Sequence, residues 1–138
     1  MVMSLMAKIA GCLLAGAIPA AILVVPAAAQ DSSLAMLDRL DRGEWVIRYR
    51  EGAEPRRICL RSGRELIQLR HRQPGCSRYV VEDAAGEVTV QYSCLGDGYG
   101  RTNIRRESGS LVQIESQGIA AGRPFQFTAE ARRTGACR

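Results

Sequence analysis

From Trp45 onward apolar and polar residues alternate with a period of two over most of the chain, the spacing that turns every second side chain of a strand toward a core. Trp45, Ile47 and Tyr49 alternate with Arg48 and Arg50, which predicts a half-buried strand. A turn at Gly52 to Pro55 leads into a returning strand, Arg56 to Arg61, where Ile58 and Leu60 alternate with Arg57 and Cys59. Two short stretches break this rhythm. Leu34, Met36, Leu37 and Leu40 have the spacing of one helical face, with Ser32 or Ser33 as cap and Gly43 as stop. Ser62-Gly63-Arg64-Glu65 has capping-box spacing, in which the serine oxygen and the glutamate each satisfy a free backbone donor. It predicts a short helix through Leu69, closed by Pro74-Gly75.

The most specific pattern lies between Cys76 and Cys94. Asp83-Ala84-Ala85-Gly86-Glu87 suits a three-residue hairpin loop with Gly86 in the left-handed conformation. Pairing Asp83 with Glu87 sets Cys76 directly opposite Cys94, the placement a cross-strand disulfide needs. The apolar face of Val88, Val90 and Tyr92 prefers a register one residue away, matching Val81 with Val90 and Tyr79 with Tyr92. A one-residue slip reverses every side chain's face, so the two patterns coexist only through a β-bulge, which the hairpin is expected to contain.

Beyond Cys94 the alternation continues through Arg101 to Arg106, a turn at Ser108-Gly109, Leu111 to Gln117, and Pro124 to Arg132 with Phe125, Phe127, Ala129 and Ala131 on one side. Four cysteines allow three connectivities. The hairpin register selects Cys76–Cys94, and elimination leaves Cys59–Cys137. The fold class is therefore mainly β: a single antiparallel meander or partly open barrel-like sheet, with one or two short helices and two disulfides.

Ahead of this domain, Lys8 is the only charged residue before Asp31, Ile9 to Val25 is almost wholly apolar, and Ala27-Ala28-Ala29 precedes Gln30. This is the pattern of an export signal, residues 1–29, which cleavage after Ala29 removes together with Cys12. Residues 30–138 then form one disulfide-stapled domain, periplasmic or secreted, with no membrane span after cleavage. Loss of Lys8 leaves 18 basic residues, all arginine, against 14 acids, a net charge of +4. Acids are interleaved throughout, which describes a solubilising surface and argues against a nucleic-acid partner. Arg56-Arg57, Arg105-Arg106 and Arg132-Arg133 are the basic doublets, and strand geometry allows Arg48, Arg50, Arg57 and Arg61 to form a stripe toward an anionic partner.

Candidate chemistry is sparse. His71, the only histidine, lies between Arg70 and Arg72 and is expected at the surface. The cysteines contain no close pair of the kind zinc sites use, so neither metal nor cofactor is expected. Gly96-Asp97-Gly98-Tyr99-Gly100 reads as a turn between strands, since no helix start follows it to cradle an anion. Glu82-Asp83 falls at a turn, where solvation accounts for it, and no nucleophile elbow or acid–base set occurs.

Gly43-Glu44-Trp45 opening the first strand, Cys59-Leu60 before a capped helix, Cys76 and Cys94 flanking a hairpin, and Gly135-Ala136-Cys137 after the final strand occur in a fixed order behind an export signal. Together they resemble the bacterial domain-of-unknown-function family 3617, over residues 40–137. The resemblance implies a small exported β protein and carries over no catalytic residue or cofactor. Arg42 stands where a proline commonly precedes the glycine in that family.

The function class this supports is a non-catalytic exported protein that binds an apolar or anionic small molecule, a lipid or an envelope component. A secreted inhibitor of another enzyme is the alternative, and a hydrolase comes behind both.

Overall fold

The computed structural model describes residues 33–138; the expected export signal and cleavage site, Cys12 and Ser32 lie outside the described residues. Alternation produces seven strands, β1 (Gly43–Tyr49), β2 (Arg56–Leu60), β3 (Ser77–Asp83), β4 (Glu87–Cys94), β5 (Gly98–Ser108), β6 (Leu111–Ala120) and β7 (Arg123–Gly135). They form one antiparallel sheet in the order β2-β1-β7-β6-β5-β4-β3. β3 to β7 are a meander, while the β1–β2 hairpin is added at its far side, with β1 against β7. β2 and β3 are left as edges, so the sheet is open.

One face carries the core. Trp45, Ile47, Ile58, Leu60, Val88, Val90, Tyr92, Ile104, Val112, Ile114, Ala129 and Ala131 are all buried there. The connection from β2 to β3 crosses this inner face, because it must travel from one edge of the sheet to the other. Its central element is a 3₁₀ helix, Gly63–Gln68, which buries Leu66 and Ile67. The capping box forms: Ser62 Oγ accepts from the Arg64 amide at 3.3 Å, and Glu65 Oε1 accepts from the Ser62 amide at 3.0 Å. Beside it lies α1 (Ala35–Asp38), which buries Met36 and Leu37, with Leu34 and Leu40 buried at its two ends.

Local details differ from the sequence expectation. The cap of α1 is Leu34 in a left-handed conformation, not Ser33, since burying Leu34 outweighs a side-chain cap there; Gly43 belongs to β1 rather than ending the helix. In the β3–β4 hairpin Val80 faces Val90 and Ser77 faces Ser93, the register that aligns the cysteines. Past a bulge at Val81, Asp83 faces Val88. The expected bulge is present, but the cysteine register holds up to Val80 and the slipped one begins only at Glu82, so the expected Val81–Val90 and Tyr79–Tyr92 pairs are replaced by Val80–Val90 and Arg78–Tyr92. The bulge also displaces the expected Asp83–Glu87 pair, and the turn closes on a bond from the Ala84 amide to the Glu87 carbonyl at 2.9 Å, without a left-handed Gly86. β5, β6 and β7 run longer than their alternation suggested.

Both disulfides form as expected, Cys76–Cys94 and Cys59–Cys137, with Cα separations of 4.4 and 5.4 Å. Cys59 and Gly135 flank Glu44 from opposite sides, so the second bond straps β2 to the end of β7 across β1. Among the described residues no helix is long and apolar enough to cross a membrane, and no group of acids, cysteines and histidine is placed to hold a metal.

Candidate binding surfaces

Period two splits each basic doublet. Arg57, Arg105 and Arg132 stand on the outer face, while Arg56, Arg106 and Arg133 share the parity of the inner one. Arg48, Arg50, Arg57 and Arg61 are all exposed, and β1–β2 pairing gives Arg48 and Arg57 the same outer face. Acids stand among them. Arg57 pairs with Glu44 at 2.9 Å, Arg48 is registered opposite Glu130, and Arg50 donates to Gln113 at 3.1 Å. Arg48, Arg50 and Arg57 thus share one side of the sheet as a mixed-charge surface, while Arg61 lies past the end of β2.

His71 overturns its expected place: it is 0% exposed. The 3₁₀ helix ends in a tight turn, closed by the His71 amide on the Gln68 carbonyl at 3.0 Å, which turns the ring inward and leaves Arg70 and Arg72 outside. Its Nδ1 lies 3.0 Å from the Tyr92 hydroxyl, its ring meets Tyr92 edge-on and Phe125 at a tilt, and its Nε2 has no hydrogen-bond partner. Glycines make the room. Gly100 is opposite Tyr92, and a Cβ there would collide with the phenol ring, while one on Gly98 would strike the Ile119 carbonyl and crowd His71. Further polar bonds pin the crossing segment: Thr102 Oγ1 donates to the Ile67 carbonyl at 2.7 Å, and Arg56 donates to the Leu69 carbonyl at 3.1 Å.

Burial, with the Asp97 charge adding to it, pushes the Tyr92 hydroxyl up to about 12 from 10.0. Because the folded value is the higher one, the stability this group confers is complete below pH 10 and is lost as pH rises toward 12. Alkaline titration of the Tyr92→Phe variant should therefore show less loss of stability across that interval than the parent protein. Equal pH dependence in the two would refute it.

The outer face holds a second arrangement. The registers Tyr79–Gln91, Gln91–Arg101, Arg101–Gln117 and Gln117–Gln126 draw one row across five strands. The next row contains Ser93, Tyr99, Ile119 and Pro124. Between them lies a shallow groove of about 510 Å³, floored by the bare backbone of Gly100 and Gly118. An adjoining depression of about 410 Å³ extends it to Tyr79. Tyr79 is 71% and Tyr99 52% exposed, and Arg101 makes no ion pair among the described residues. No carboxylate stands in either row. The surface offers aromatic faces, amides that both donate and accept, and a free guanidinium. Reading the sequence alone missed it, because its members come from five strands; the trace it leaves is glutamine and tyrosine at outward positions, where charged residues usually stand.

No family model, curated protein or solved structure matches the chain.

Proposed function

We propose that the chain is an exported, non-catalytic binding protein of the bacterial envelope that holds a hydroxyl-rich polymer, a polysaccharide strand, in the outer groove. The observation that carries this reading is the pair of adjoining rows, Gln91–Arg101–Gln117–Gln126 beside Tyr99–Ile119–Pro124, exposed and free of carboxylates. A sugar ring has an apolar C–H face for stacking on a tyrosine and hydroxyls that match amide donors and acceptors. Tyr79 and Tyr99 stand two strands apart and two positions offset, roughly 12 Å at ordinary sheet spacing. That exceeds one ring and suits a chain of them. Export through the segment 1–29 and the likeness to family 3617 belong to the same proposal, and the two disulfides support an oxidising compartment.

Affinity electrophoresis of the oxidised protein through soluble envelope and plant glycans tests it. Retardation by at least one glycan is expected, with Tyr99→Ala weakening it about tenfold, equivalent to about 1.4 kcal/mol. Arg48→Gln should leave it unchanged. Undiminished retardation of Tyr99→Ala, or none with any glycan, refutes the proposal.

A further inference from the structure

A separate concavity of about 530 Å³ opens at the β3 edge, between that strand and the residues after the 3₁₀ helix. Arg72, Arg78, Gln68, His71 and Glu65 contribute to its wall. Arg78 is held in an unusual way: its Nε donates to Gln68 Oε1 at 2.8 Å, its Nη2 reaches the same oxygen, and it makes no ion pair among the described residues. Gln68 is itself 7% exposed and fixed by its own donation to the His71 carbonyl at 3.1 Å. A neutral amide thus positions the guanidinium without cancelling its charge.

The remaining charges leave the cavity cationic. Arg72 also makes no ion pair among the described residues, and Arg64 is joined to Asp38 at 3.0 Å. Glu65 is the only acid on the wall, and its Oε1 caps the helix by accepting from the Arg61 and Ser62 amides, each at 3.0 Å. Burial, and after it the nearby Arg64 charge, lower the Arg78 pKa. His71 on the same wall has an Nε2 without a partner.

We propose that this concavity is an anion site for a phosphate group, with Arg78 and Arg72 as its ligands. Two free cations favour a phosphate monoester, which carries about −1.5 to −2 at neutral pH, over a carboxylate with a single charge. Gln68 is a positioning residue, holding the guanidinium in place before the ligand arrives. Arg78 also borders the depression at Tyr79, but Arg72 and Gln68 do not, and phosphate binding here needs no glycan in the outer groove.

Calorimetric titration of the oxidised protein with inorganic phosphate, a hexose phosphate and anionic phospholipid vesicles, each against chloride at matched ionic strength, tests the site and separates its sources. Saturable binding of inorganic phosphate or the hexose phosphate is expected. A preference for the hexose phosphate identifies a phosphorylated sugar as the ligand, and equal affinity identifies the free ion. Arg78→Gln and Arg72→Gln should each weaken binding at least tenfold, while Tyr99→Ala and Arg48→Gln keep the parent affinity. Arg72 is exposed and makes no ion pair, so its variant reports on binding even if Arg78→Gln unfolds. Binding to vesicles alone, an unchanged affinity in Arg72→Gln, or no binding above chloride overturns the proposal.

Discussion

Trp45→Ala should lower the free energy of unfolding by about 3–5 kcal/mol, the cost of emptying a large core position. Trp45 is fully buried in β1, registered between Ile58 of β2 and Arg133 of β7, at the seam where the hairpin joins the meander. Its indole N–H also donates to the Asp41 carbonyl at 2.9 Å, and the Asp41 amide donates to Gly109 at 2.8 Å, in the β5–β6 turn. Truncation therefore opens a cavity and releases the segment that ties α1 to that turn. Trp45 is the only tryptophan in the chain, so urea unfolding of the variant must be followed by far-ultraviolet circular dichroism. A loss under about 1 kcal/mol would mean that the seam repacks without the indole.

Replacing Cys59 and Cys137 by alanine should cost about 4–5 kcal/mol, against about 3 kcal/mol for Cys76 and Cys94, when restriction of the unfolded chain dominates. The sequence separations are 78 and 18 residues, and a longer closed loop removes more freedom from the unfolded state. Placement points the same way. Cys76–Cys94 joins strands already paired in a local hairpin, whereas Cys59–Cys137 holds together three strands drawn from opposite ends of the domain. Parallel denaturation of the two double variants decides it, and a larger loss for the hairpin pair would reverse the ranking.

The strands, the capping box, the bulge and the Cys76–Cys94 disulfide were legible because each rests on local spacing, and Cys59–Cys137, 78 residues apart, followed only by elimination. Val88, Val90 and Tyr92 state which face is buried, Cys76 and Cys94 state the register, and the conflict between them announces an extra residue. The pairing of β1 with β7 left no such mark, since strand order depends on which edges meet, and alternation specifies only faces. His71 misled because charged neighbours were taken to share its environment; in an irregular turn adjacent side chains diverge freely, and Arg70 reaches back over Phe125, 5.9 Å from its ring centroid. The clue to its burial was distant in sequence: Gly98, Gly100 and Gly118 at inward strand positions, where side chains normally fill the core, leave space that some other residue must occupy. The candidate sites were the least legible. Tyr79 was placed on the core side by the slipped register, and the bulge at Val81 keeps it on the outer face.

The strand order also dictates a sequence of events in time. A chain emerging from its N-terminus presents β1 and β2 first, but the neighbour that β1 requires is β7, the last strand to appear. Closing so long a loop is entropically slow, and folds built on such distant pairings form later than those built on hairpins. Until β7 arrives, Trp45 and Ile47 have only the β2 edge to cover them, so the chain stays loosely organised for as long as it is being delivered. Under the export proposed above, in which the chain is threaded across a membrane before it folds, that delay is an advantage. Oxidation inherits the same order, with Cys76–Cys94 able to close as soon as β4 has formed and Cys59–Cys137 sealing the assembly last.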